Sequence, residues 1–164
     1  DVIDWKAFMD RLAPVASDVP DHELPFPFNI RRSLGGWKLL NLDGERFTPD
    51  PGVSDQINRG AYLVTGPGHC GECHTPRDAL GGLKRDKWLT GAPSPEGDGK
   101  VPDITAAGLK DWSADDIAYA LETGFTPEYD SLGSSMAAVV RNTSHLTPED
   151  RAAIAAYLKS VPGQ

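Results

Sequence analysis

The two cysteines of this chain stand three residues apart in "GHCGECHTPR", residues 68–77, with His74 directly after the second thiol and His69 directly before the first. Four chemistries use a Cys-x-x-Cys pair. A structural disulfide across so short a loop stabilises little, because loop-closure entropy grows with loop length. A thioredoxin-type redox pair belongs at a strand-to-helix junction of an α/β sheet, and no stretch here alternates in hydropathy long enough to predict a sheet. A zinc site built on Cys70, Cys73 and the adjacent histidines needs a second ligand pair from elsewhere, whereas His22 and His145 stand alone. The fourth chemistry is covalent haem attachment. Each thiol adds to a haem vinyl group, the spacing matches the separation of the vinyls, and the following histidine is directed at the iron. Cys70, Cys73 and His74 meet all of these requirements.

Iron bound by His74 needs a sixth ligand or an open position. The chain has two methionines, Met9 and Met136. Methionine most often fills gaps in a core. In "SLGSSMAAVV", however, Met136 is expected in a loop between two helices, flanked by small residues that let a thioether approach closely. His69, in a Gly-Pro-Gly turn, reads as a solvated or hydrogen-bonded histidine. Arg77 suits a haem propionate, since guanidinium pairs well with carboxylate, and equally suits the surface. Trp88 and Trp112 either wall a haem or fill core, with indole N–H groups that need partners when buried.

The elements that must position these groups are helical. From Ser54 to about Val64, Ile57, Ala61 and Val64 recur at the spacing of one buried helix face. From Ser113 to Thr123, Ser113 caps, Asp116 completes the capping pattern, Ile117, Ala120 and Leu121 form the stripe and Gly124 ends the helix. From Thr147 to Ser160, Thr147 caps, Pro148 opens the first turn, Glu149 and Asp150 favour the positive helix end, and Ile154, Tyr157, Leu158 and Val161 are in register. The segment from Leu80 to Gly108 reads as a long loop with one short helical turn. A loop of that length in a compact domain usually wraps something functional.

The first fifty residues differ. "DVIDWKAFMDRLAPV" predicts an amphipathic helix ending at Pro14, and "DVPDHELPFPFNIRRSLGGWKLL" a Pro-rich extended segment followed by an apolar one. Residues 1–13 align with residues 150–162: Asp1 with Asp150, Ala7 with Ala156, Phe8 with Tyr157, Met9 with Leu158 and Leu12 with Val161. Amphipathic helices resemble one another, but an internal repeat explains the order of the match. The expected organisation is a remnant C-terminal helix of a preceding haem domain at 1–15, a Pro-rich linker at 16–50 and one haem domain at 51–164. On that reading the chain is the C-terminal part of a longer protein.

Composition bounds the rest. With 39% hydrophobic residues in 164, one respectable core is affordable. The 17 glycines and 14 prolines are spread without period, which favours short helices joined by long loops. A net charge of −8 excludes general attraction to nucleic acid. No apolar run approaches the roughly 20 residues that span a bilayer, so membrane association is expected only through other segments or partner subunits.

Over residues 51–164 the chain resembles the class I c-type cytochromes. The resemblance rests on "DQINRGAYLV", "CGECH", the proline in "VPDI", the middle helix, Met136 and the final "EDRAAIAAYLKSVP". The longer "RGAYLVTGPGHCGECHTPRDALGG" is similar to bacterial periplasmic cytochromes with two or more haem domains, including those serving membrane-bound alcohol and aldehyde dehydrogenases, in which a "LPFPFNIRR…GWKLL" segment links domains. The resemblance implies an all-α cytochrome c fold, three main helices with long Gly/Pro-rich loops around one covalently attached haem c per chain. It makes Cys70 and Cys73 the thioether attachments, His74 the proximal ligand and Met136 the distal one. Pro102 takes the position whose carbonyl accepts the proximal histidine's N–H. Gly60 and Tyr62 stand closer together than in the shortest family members.

With both axial positions filled, the implied role is one-electron transfer, not enzymatic turnover. The rival is a haem enzyme, a peroxidase or thiosulfate-type oxidoreductase with a labile sixth ligand. The implied partners are redox proteins: another haem domain, a dehydrogenase, an oxidase or a soluble cytochrome. The implied compartment is the periplasm, where bacterial apocytochromes receive haem. Arg77, Lys84, Arg85 and Lys87 cluster after the motif on an otherwise acidic chain, which suits charge-steered docking of an acidic partner.

Overall fold

The computed structural model describes residues 2–94 and 97–163. The chain divides into two compact units, Asp1–Leu42 and Asp43–Gln164.

In the first unit, α1 (Val2–Met9) is helical as its amphipathic pattern predicts but ends short of the expected stop at Pro14, giving way to turns at residues 10–12, and none of its residues is buried. The segment up to Asp21 carries no regular element. Turns with backbone bonds Phe28 N–H to Pro25 O (2.8 Å) and Ser33 N–H to Ile30 O (2.9 Å) then lead into α2, Ser33–Asn41. The sequence reading missed α2 because Gly35 and Gly36 sit inside it, and each interior glycine disfavours a helix by roughly 1 kcal/mol.

The second unit is built on α3 (Asp55–Thr65), α4 (Gly71–His74), α5 (Ala114–Thr123), α6 (Met136–Thr143) and α7 (Pro148–Ser160). A two-residue antiparallel pair, β1 (Ala92–Pro93) with β2 (Lys100–Val101), is the single sheet among the described residues, and the short helical turn expected in the long loop is a 3-10 turn at Arg85–Lys87. Local chemistry accounts for the helix ends. Ser54 accepts the Ile57 N–H, and Thr147 accepts the Asp150 N–H. Ser113 and Asp116 form a reciprocal capping box, and α5 stops at Gly124 in the left-handed conformation.

The core joins α3, α5 and α7 through Leu63, Val64, Ile117, Ile154, Ala155, Leu158 and Val161, with Leu89 contributed by the long loop. Gly60 sets the α3–α7 approach: a Cβ there would lie 1.9 Å from the Ala153 carbonyl oxygen. That crossing shifts the buried face of α3 to Gly60, Leu63 and Val64. Ile57 and Ala61, expected on the stripe, instead line a groove with Phe47 and Pro162. Arg59 extends the same contact outward, placing its guanidinium on the Asp150 carboxylate at 2.7 and 2.9 Å.

Candidate haem-attachment site

The Cys-x-x-Cys-His segment is fastened to the end of α3. The Gly68 N–H donates to Leu63 O (2.8 Å) and the Cys70 N–H to Val64 O (3.1 Å). One helical turn follows, closed by the His74 N–H on Cys70 O at 3.0 Å. Residues three and four apart are neighbours on a helix surface, so this turn brings Cys70, Cys73 and His74 to one side. Both thiols are free, Cys70 half-buried and Cys73 exposed. Burial pushes the Cys70 thiol up from its ordinary range, so it stays protonated at neutral pH. Gly71 is dictated by Trp88: a Cβ at position 71 would fall 2.1 Å from the indole ring. The same indole donates from Nε1 to the Tyr157 hydroxyl on α7 (3.1 Å), which ties the motif to the last helix. Trp88 is thereby one neighbour of the motif, while Trp112 packs against the helical core.

His74 is buried at 6% exposure. Its Nδ1 lies 2.8 Å from Pro102 O. A carbonyl only accepts, so Nδ1 carries the proton and Nε2 keeps its lone pair. Burial lowers the imidazole's proton affinity more than the Pro102 bond raises it, which keeps the ring neutral and suited to a metal. Pro102 is delivered by the β1–β2 hairpin that opens the second half of the long loop. That loop is pinned on the motif by the Gly91 N–H to His74 O (2.8 Å) and the Leu89 N–H to Thr75 Oγ1 (3.0 Å).

Met136 is half-buried and is the first residue of α6. The loop expected around it ends one residue earlier, and "MAAVV" starts a helix because Ala, Met and Val carry no local turn chemistry to oppose one. Arg77 turns to Glu72 and donates from Nη1 to Gly81 O (2.7 Å), so its guanidinium braces the loop after the motif. His69, His22 and His145 are exposed, as is Met9. Sequence reasoning overlooked Arg151, which is 5% exposed beneath α6. Its signal was present: a lone arginine in the buried register of "EDRAAIAAYL".

Among the described residues no three His, Cys, Asp or Glu side chains converge to hold a metal ion, so the two thiols and His74 do not form a zinc-type cage. The donor set fits a covalently attached haem instead. Two unpaired thiols flank one helical turn, and a neutral, oriented imidazole offers a single nitrogen to iron.

Comparison with known proteins agrees with that chemistry. The cytochrome c family model matches residues 57–162, and the chain belongs to the cytochrome c family. It is 57% identical over 162 residues to a diheme cytochrome c-type protein of Cereibacter sphaeroides, covering 99% of this chain and 54% of that protein. It is 39% identical over 160 residues to the fructose dehydrogenase cytochrome subunit of Gluconobacter japonicus, covering 95% of this chain and 32% of the relative. A third relative, the cytochrome c subunit of the quinone alcohol dehydrogenase of Komagataeibacter europaeus, is 38% identical over 172 residues, covering 94% and 35%. The chain thus spans about half or less of the length of these relatives.

Proposed function

We propose that this chain is a one-electron carrier, with one haem c joined to Cys70 and Cys73 and its iron held between His74 Nε2 and the Met136 thioether. The single observation that carries the reading is the buried His74–Pro102 hydrogen bond beside two free thiols. It fixes one tautomer and one ring orientation, the preparation an axial ligand needs. The haem supplies a reversible ferric–ferrous couple, and a thioether ligand raises its potential by favouring the ferrous state. The polypeptide's part is to keep both ligands in place in either state. Cys70 and Cys73 hold the group covalently, Pro102 orients the imidazole, and the long loop pinned at Gly91 and Leu89 is assigned to wrapping it. Arg77 is assigned to a propionate, which would have to share a guanidinium already paired with Glu72.

Residues 1–15 are read as the last helix of a preceding haem domain, 16–50 as a linker and 51–164 as the cytochrome c domain. The exposed Trp5 and Phe8 on α1 and Leu12 just beyond it support this, since their counterparts Ile154 and Tyr157 on α7 and Val161 just beyond it are buried or half-buried. The names of the relatives support a dehydrogenase or partner haem as donor; a further redox protein as acceptor and a periplasmic location complete the reading. Among the described residues no helix is long and apolar enough to cross a membrane, so membrane association is assigned to other segments or to partner subunits.

The test is Met136→Ala in the haem-loaded protein. Haem stays attached, the ferric methionine-to-iron charge-transfer band disappears, the iron becomes largely high-spin or water-bound, and the potential falls. A Met9→Ala control changes none of these. Retention of the band in Met136→Ala overturns the ligand assignment.

A further inference from the structure

The loop that enters α6 is held by the Leu132 N–H on Gly124 O (2.7 Å), and Val140 in the middle of the helix lies against Gly124. The helix has no fully buried residue, and Ser135 gives it no side-chain cap. It is also fixed at the other end. Thr143 Oγ1 donates to Leu121 O at the end of α5 (2.5 Å). Immediately beyond, the Arg151 guanidinium donates from Nη1 to Ser144 O (3.2 Å) and Leu146 O (2.5 Å), and its Nη2 is ion-paired with the Glu122 carboxylate (3.0 Å). Arg151 belongs to α7, which packs closely on α3 at Gly60 and contributes Ile154, Ala155 and Leu158 to the core. One planar fork therefore ties α7 to the end of α5 and to the turn that leaves α6.

We propose that Arg151, together with Thr143, is a positioning residue for Met136. The helix between Met136 and Thr143 is about 10 Å long at 1.5 Å per residue, a two-turn rod with few soft degrees of freedom. A rod clamped at its C-terminal end carries any displacement of the clamp to its N-terminal end. The fork geometry suits arginine specifically, because it serves two carbonyls and a carboxylate at fixed angles, whereas a lysine ammonium is a point charge without that fork. The inference rests on the reading of Met136 as an iron ligand.

The test compares Arg151→Lys and Thr143→Val in the haem-loaded full chain, each also in a Met136→Ala background. Far-ultraviolet dichroism and haem attachment stay as in the parent. In the Met136 protein, each substitution weakens the methionine-to-iron band, lowers the potential and speeds binding of added imidazole roughly tenfold, equivalent to about 1.4 kcal/mol. In the Met136→Ala background neither substitution changes imidazole binding or potential. Thr143→Val retains every Arg151 contact, and it decides alone if Arg151→Lys does not fold. An unchanged band and imidazole rate in the Met136 protein overturn the positioning role, as does an equal effect in both backgrounds. If Met136→Ala by itself keeps the parent band, the ligand assignment has failed and the positioning role with it.

Discussion

Trp88 lies so close over Gly71 that the indole occupies the space a side chain would need, 2.1 Å from where a Cβ at position 71 would stand. The glycine inside Cys-Gly-Glu-Cys-His is thus a packing requirement of a tryptophan seventeen places further on. Because Trp88 also donates to Tyr157, the contact links the motif to α7.

Gly71→Ala therefore has to displace the ring and lose the Trp88–Tyr157 bond. Overpacking of this kind costs typically about 1–3 kcal/mol. Thermal unfolding of the haem-loaded protein should drop accordingly, and a second change, Trp88→Leu, should recover part of the loss. A Gly71→Ala protein as stable as the parent would show that the indole moves aside freely.

The three helices of the core were legible in the sequence because each carries its own local signals: Ser54, Ser113 and Thr147 as caps, Gly124 as a stop, and periodic apolar residues between. Helix α6 was not, because Ser135 makes no cap bond and none of its residues is fully buried. The buried face of α3 was misplaced by one stripe for a related reason. Gly60 has no side chain to register as apolar, yet it is where α7 comes closest. At the site, the spacing of Cys70, Cys73 and His74 is a local property and can be read directly. The contacts of Trp88 and Arg151 join residues far apart in the chain, so no spacing rule exposes them.

Arg59 and Asp150 join α3 to α7 in a paired contact, and the hydrogen bond from Arg59 holds the Asp150 carboxyl below the usual carboxylate range. A carboxyl depressed in the folded state stabilises above its unfolded pKa, and that contribution is lost as pH falls through the folded value. With Arg59 partly exposed, the pair is worth about 0.5–1 kcal/mol at neutral pH. Asp150→Asn should lower the melting temperature at neutral pH, and the gap to the parent should close as pH falls below the usual aspartate range and through the depressed Asp150 value. A gap that persists undiminished in acid would assign the loss to the helix start instead of the ion pair.

Removal of residues 1–18 should leave the haem spectrum of the second unit unchanged and its melting nearly so. The reason is local: α1 buries none of its residues, and Trp5 and Phe8 are 63% and 60% exposed. Calorimetry on the shortened, haem-loaded chain is the measurement. A fall of several degrees would place α1 in the stability of this unit and remove its assignment to a preceding domain.

The loop after the motif separates its cations into two kinds. Arg77 is engaged by Glu72 and the Gly81 carbonyl, whereas Lys84, Arg85 and Lys87 are exposed around the 3-10 turn. Charge-steered encounters depend on the second kind. Replacing Lys84, Arg85 and Lys87 with glutamine should slow electron exchange with an acidic redox protein several-fold at low ionic strength. The difference should fade as salt shortens the screening length to about 3 Å at 1 M. Arg77→Gln alone should leave the salt dependence as it is and instead loosen the loop, seen as faster amide exchange near Gly81. Equal rates for parent and triple variant at low salt would make these three cations a solvated face with no part in docking.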